Sequence, residues 1–290
     1  MASQVHGPNS KIFAEDWAVK LQEQLDEPVK WKDICNVEFT DSFVINNPYD
    51  TDPTAQTGAR GTAYTFVTQV ETNQNTTIDT FFIIPRVIDR ADLGQSGYAK
   101  QMYLAERQGV VLNERIETSV FAAFGSMTVF DGDEIGGAAG SITLSATNVD
   151  DVITGLRREI AEANGQTQLE RNGGFIVWRP QDLELVERFA MANGFNVADA
   201  VLRNGVVGKN RGFEYLGFTH YSSNRLSGGH IIAGVKKAIH LGIYRGTYGQ
   251  VVIDPYDPNL ISGISVVSRV DYKVQVWNNM STVVFDVRLA

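Results

Sequence analysis

The chain has 290 residues, 43% of them hydrophobic, 10% aromatic and 20% charged. That is enough apolar material for one large domain or two closely joined ones. The formal charge is -9, and Lys11, Lys20 and Lys30 are offset by Glu15, Asp16, Glu23, Asp26 and Glu27. This excludes a basic nucleic-acid-binding arm at the N-terminus, so any nucleic acid would be held by enclosure. No apolar run is long enough to cross a bilayer, and Met1–Lys11 lacks the apolar centre of a signal peptide. Cys35 is the only cysteine, which excludes an intrachain disulfide and a cysteine-rich zinc site.

In chain order, Phe13, Trp17 and Leu21 recur four apart and predict a helix over Ser10–Leu25, ended by Glu27-Pro28. Two readings of that stripe stay open, a core-packed helix and a terminal arm lying on a neighbouring subunit. Strands are expected around Trp31–Phe39 and Ser42–Asn46. The run Asn47–Gly61 is rich in turn formers. Tyr64–Val70 and Thr77–Ile84 read as further strands, linked by polar Glu71–Thr76. Together they form a long, polar β-excursion with little core, which would need another surface to pack on.

Apolar residues at helical spacing from Tyr98 to Phe124 predict a long helix over 97–124, with Gly125 as its stop. Another helix is expected over Val149–Ala163, with Asn148 as N-cap and Asn164-Gly165 as terminator. Gly174–Trp178 reads as a buried strand, and Pro180 opens a helix that ends at Asn193-Gly194. A short helix is expected over Asn196–Asn204. The remaining strands are expected at Phe213–Thr219, His230–Val235, Gln250–Ile253, Ile264–Val276 and Thr282–Leu289. Helices and strands segregate, so the fold class is α+β.

No chemical motif emerges. Gly208-Lys209 lacks the upstream glycine and hydroxyl residue of a phosphate loop. Gly136–Gly140 has the wrong spacing for a dinucleotide fingerprint, and Gly263–Val267 fails as a nucleophile elbow. His6, His220, His230 and His240 show no metal-site spacing. Asp131–Gly136 starts like a calcium loop, but Ile135 and Ile142 stand where ligands belong, so an acidic turn is expected. No catalytic, cofactor-binding or metal residue is assigned, and no cofactor is expected.

The order of these pieces resembles the major capsid proteins of tailed bacteriophages, the Hong Kong 97-type fold. Phe175–Pro180 followed by a helix resembles that family's strand–Pro–helix lead-in to its axial domain. Leu202, Gly205, Gly208, Gly212-Phe213, Ser223-Asn224 and Leu226 resemble its glycine-punctuated run, and Ala233–Ile239 its following segment. Each motif alone is weak; their order over nearly the whole chain carries the resemblance. It implies an N-terminal arm at 1–45, an extended loop at 46–82 and a peripheral domain at 83–174 and 251–290. The spine helix would be 97–124 and the axial domain 175–250.

The resemblance further implies a subunit with no catalytic site. Hexamers and pentamers would close into an icosahedral shell around double-stranded DNA, assembled in the bacterial cytoplasm. A portal and a separate scaffolding protein would be partners, with a decoration protein as a further candidate and no membrane. Phe13, Trp17, Leu21, Asp52 and Arg60 are the candidate assembly contacts, with solvated loop residues as the alternative for the last two. Gly94, Gly97 and Gly125 are candidate flexible joints. Residues 51–82 contain no lysine, so the covalent subunit link of some relatives is not expected from this loop. The stretch ahead of the first strand is too short for a cleavable scaffolding segment. An encapsulin-type compartment shell is the nearest rival, though the polar loop and a missing Arg-Arg segment weigh against it. An enzyme with a scattered site, Asp131 and Asp133 as acid–base groups, is the rival of a different class.

Overall fold

The computed structural model describes residues 27–50, 53, 55–63, 65–68, 71–89, 100–192, 213–254 and 263–290. Its helices are α1 (Trp31–Ile34), α2 (Lys100–Phe121), α3 (Val149–Glu162), α4 (Gln166–Asn172) and α5 (Pro180–Ala192). The first strands are β1 (Asn36–Thr40), β2 (Val44–Asp50), β3 (Glu71–Thr77), β4 (Thr80–Ile88), β5 (Thr128–Phe130) and β6 (Gly174–Trp178). Next come β7 (Phe213–Tyr215), β8 (Phe218–Ser222), β9 (His230–Val235) and β10 (Ile239–Tyr244). The last are β11 (Val251–Asp254), β12 (Ile264–Val276) and β13 (Val284–Arg288). The class is α+β.

Two sheets share one apolar core. The six-stranded sheet runs β5-β13-β9-β6-β8-β7. All five residues of β6 are buried, as an apolar run in a central strand requires. Helix α3 packs on β9 and α5 with Val149, Val152, Ile153, Leu156 and Ile160 inward, the face the sequence predicts. Asn148 does not cap it. Its side-chain oxygen instead accepts from the Ser145 N–H (2.7 Å) and hydroxyl (3.0 Å), closing the preceding turn. Asn164 does end it, in the left-handed conformation at φ 60°.

The second sheet centres on β12. Ser265–Ser268 pair with β4 on one edge and β11 on the other, and Ile239–Ile243 of β10 continue the β11 edge. Strand β1 adds to β10 in parallel. Helix α2 lies across this sheet, with Leu112, Ile116 and Val120 buried. Buried Gln108 stitches helix to strand, donating to Val266 O (3.1 Å) and accepting from the Ser268 hydroxyl (2.6 Å). Ser119 and the Tyr272 hydroxyl make a further bond at 2.6 Å. The core cluster is continuous from α2 and β12 through β6 to β13.

Several expectations change. Trp31–Ile34 forms a helical turn, and Lys30 and Trp31 are buried. The polar stretch Glu71–Thr76, expected as a linker, is itself strand: it lies in β3, which pairs with β2. Residues 65–68 are not strand, and the expected strand at Thr77–Ile84 begins at Thr80 and runs to Ile88. Helix α2 ends at Phe121, and Gly125 sits in the short 3-10 turn beyond it. The expected strand Phe213–Thr219 is broken by Leu216 (φ 51°) and Gly217 (φ 87°), a two-residue hairpin turn with both central residues at positive φ. The sheets also cross the expected domain boundaries. Strands β5 and β13 join β6–β9, and β10 joins β12, because hydrogen-bond register groups strands that chain order separates. The helix expected at Asn196–Asn204 lies outside the described residues. Among the described residues no helix is long and apolar enough to cross a membrane.

Candidate assembly interface

Strands β2 and β3 form an isolated two-stranded ribbon, in register from Val44↔Thr77 to Asp50↔Glu71. Seven residues of strand carry it about 23 Å from its base. Among the described side chains of β2 and β3 only Ile45 and Thr76 are buried, and both lie at the base. Beyond the ribbon, every described residue from Pro53 to Thr68 is exposed. A ribbon of this kind has no core of its own and is marginal in isolation.

A polar clasp fixes its base. Gln74 donates to the Asn278 side chain (3.3 Å), and the Asn278 N–H donates back to Gln74 (2.9 Å). The Thr76 hydroxyl donates to Gln275 at 3.0 Å. Lys273 Nζ meets both carboxylate oxygens of Asp79 at 2.8 Å, and this bond holds the Asp79 carboxyl below its usual range. The arm is thus held to the C-terminal end of β12 by side chains the sequence pattern does not single out.

At the tip, Gly61 adopts φ 93° and the Thr62 N–H donates to Ala59 O at 3.1 Å, turning the chain at Arg60. Gln56 spans the loop to Thr65 O at 3.0 Å. Arg60 itself is exposed. The same loop carries Phe66 and Val67 at 85% and 78% exposure, the highest values among the described large hydrophobics. On sequence alone they fall within the expected strand Tyr64–Val70. Their signal is two adjacent large apolar residues in a stretch, 53–68, whose other residues are small or polar apart from Tyr64.

A buried ionic knot joins three distant segments. Glu117 of α2, fully buried, accepts from the Lys30 N–H at 2.8 Å and faces Arg225 Nη1 at 3.4 Å. Arg225 also donates to Glu114 (2.7 Å) and to Glu27 O (3.0 Å), while Lys30 Nζ bonds Glu27 at 2.7 Å. Burial pushes the Glu117 carboxyl above the usual carboxylate range, against the opposing pull of Lys30 and Arg225. The knot fixes where the chain enters from the N-terminal side against α2 and the turn at Ser223–Arg225.

The groups of the enzyme alternative sit on a surface turn. Asp131 and Asp133 share a side-chain hydrogen bond, which pushes Asp133 up to about 6 and lowers Asp131. With Glu134 they form the one group of three or more metal-ligating side chains among the described residues. The described histidines are dispersed, each in its own pairing. His220 accepts from Trp178 Nε1 (2.8 Å), His230 meets Asp286 (2.7 Å) and His240 meets Glu38 (3.0 Å). Burial brings His220 down to about 4. A cleft of about 490 Å³ lies beside the β7–β8 turn, with Arg157, Glu170, Glu214 and Lys236 mixing both charges along its wall. Its lining does not include Asp131, Asp133 or Glu134.

Of the candidate contacts, Phe13, Trp17, Leu21 and Asp52 lie outside the described residues, as do Gly94 and Gly97; Arg60 stands at the loop tip. No family model matches the sequence, and no curated protein is similar to it. Solved structures are similar over the full length. A chain of Mycobacterium phage Che8 superposes with a TM-score of 0.71 at 17% identity, covering 96% of this chain and 97% of that one. The capsid of an empty GTA particle gives 0.72 at 13% identity, covering 100% and 99%. The mature capsid of bacteriophage PhiM1 gives 0.65 at 14% identity, covering 100% and 97%. The chain has the Hong Kong 97-type capsid fold. Among the described residues the large hydrophobics left most exposed lie at the loop tip, along β4 and on β11, with a smaller patch at Phe39, Phe43 and Val44 beside the arm's base.

Proposed function

We propose that the chain is the major capsid protein of a tailed bacteriophage, with no catalytic role. In this reading it assembles through hexamers and pentamers into an icosahedral shell that encloses double-stranded DNA. One observation carries it: the capsid fold spans the whole chain with its projecting arm intact, and beyond the base of that arm no described side chain is buried. A part so built contributes only by lying on another copy, so the function resides in interfaces. Obligate interfaces of this kind bury roughly 2,000–5,000 Å².

The formal charge of -9 fits a container that holds DNA without base contacts. The five-stranded sheet with α2 forms the peripheral part and the six-stranded sheet with α3–α5 the axial part. Residues 46–82 act as the extended loop, and Phe13, Trp17 and Leu21 as the apolar stripe of an N-terminal arm on a neighbour. Portal and scaffolding proteins complete the assembly, with a decoration protein as a further candidate. Sedimentation of the purified chain, alone and co-expressed with a scaffolding partner, tests the reading. Species of capsomer or shell size are expected; a monomer under every condition overturns it.

A further inference from the structure

The cleft beside the β7–β8 turn lies within one chain and includes none of the candidate assembly contacts. Its volume of about 490 Å³ falls in the range of small-molecule pockets and exceeds what a single ion needs. Part of its lining comes from the sheet, with Glu214, Thr219 and Lys236. Part is helical, with Arg157 of α3 and Gln166 and Glu170 of α4. Leu169 and Leu216 add apolar surface.

The chain builds Lys236 into this cleft. Its N–H donates to Gly173 O at 3.0 Å, which ties the residue after β9 to the end of α4. The register sets Thr219 opposite Glu214, and the Lys236 ammonium donates to the Thr219 hydroxyl at 2.7 Å. An ammonium has three N–H donors, and this bond uses one. The group is half-buried, and burial holds its pKa below the ordinary lysine value although Glu214 and Asp33 both pull it upward. The cation is therefore dehydrated beyond what its own chain compensates. Arg157 is exposed and makes no hydrogen bond or ion pair among the described residues. Of the two carboxylates, Glu170 is engaged by the Gln166 amide at 2.8 Å, and Glu214 stands exposed to water on the edge strand β7.

We propose that the cleft binds a small organic anion, a carboxylate or a phosphate ester, between Lys236 and Arg157. The inference concerns a site inside one subunit and stands apart from the shell-building reading. Lys236 supplies a partly dehydrated point charge, and Arg157 a planar fork matched to a carboxylate or phosphate edge. Leu169 and Leu216 meet the carbon skeleton.

Isothermal titration of the purified chain with succinate and, separately, with methyl phosphate tests this against sodium chloride at matched ionic strength. Saturable binding of one anion per chain is expected from at least one of the two, and the anion that saturates assigns the chemistry. Lys236→Met should weaken it about tenfold or more, and Arg157→Gln several-fold. Arg158→Gln is the control. Arg158 lies outside the cleft and bonds Glu159 and Glu134 O, so its loss should leave the affinity unchanged. Should Lys236→Met not fold, Arg157→Gln decides, because Arg157 is exposed and its replacement disturbs no packing. No saturation with either anion, or a signal that sodium chloride reproduces, overturns the proposal. So does an affinity that a folded Lys236→Met chain keeps, or equal losses from Arg157→Gln and Arg158→Gln.

Discussion

Replacing Arg225 with methionine tests how the N-terminal side of the chain is held to α2. Methionine keeps much of the volume, so the change is electrostatic. It removes the cation 3.4 Å from Glu117 and the donors to Glu114 and Glu27 O. Glu117 is fully buried and would be left with the Lys30 N–H and a more distant Lys30 ammonium. Removing one partner of a buried pair costs about 3–5 kcal/mol. For a chain of this size each kcal/mol moves Tm by about 2–4 °C, so a drop of about 6–20 °C is expected. The loss depends on pH. Burial already raises Glu117 above its free value of 4.5, and losing Arg225 raises it further. A carboxyl raised by folding binds its proton more tightly in the folded state, so its penalty is absent below about 4.5 and grows as pH rises through the raised value. The variant should therefore lie nearest the parent at acid pH and furthest from it above neutrality. Adding Glu117→Gln should recover most of the loss at pH 8, because the amide oxygen still accepts from Lys30 N–H without a stranded charge. Thermal unfolding of unassembled subunits, followed by circular dichroism at both pH values, measures this. A single variant within about 1 kcal/mol of the parent, or a loss independent of pH, would refute the account of the knot.

His220 is held neutral at about 4 against a free value of 6.5, so its contribution is complete above 6.5 and disappears as pH falls toward 4. The gap is worth about 3 kcal/mol; denaturant titrations should show that slope in the parent and not in His220→Gln. Gly174→Ala would press a methyl into the buried ring of Phe218 and against Leu169, and overpacking of this kind costs about 1–3 kcal/mol by the same titration. Gln108→Ala removes the acceptor of the buried Ser268 hydroxyl and a donor to Val266 O. Its cost of about 2–4 kcal/mol should appear as a lower Tm, with accelerated hydrogen exchange along β12. Residues 51–82 contain no lysine, so particles of the unmodified chain should run as monomer on a denaturing gel.

What the sequence shows and what it hides follow the same physics. Strand β12, strand β9 and helix α3 lie within a residue of their expected bounds, because each has a buried apolar face and punctuation at its ends. Strand β3 was hidden because the ribbon has no core to impose alternation; Glu71–Thr77 is strand by pairing alone. Helix α4 buries only Leu169 and leaves no periodic trace. In β10, Gly242 interrupts the apolar run because a side chain there would meet Ile45 at the arm's base. The ionic knot draws on residues 27, 30, 114, 117 and 225, so no local spacing could announce it. The loop-tip pair Phe66 and Val67 was visible as letters but read as strand, since exposure is not a property of sequence. The functional reading came from the order of the elements, while the surfaces that would perform it came from the structure.

The central claim is that this chain builds a shell from copies of itself. Negative-stain electron microscopy of the soluble chain, expressed alone and then with a scaffolding partner, tests it most directly. Uniform closed shells or capsomer rings are the predicted result. A dispersed monomer that never assembles with any partner would contradict it and return attention to the acidic turn at Asp131 and Asp133.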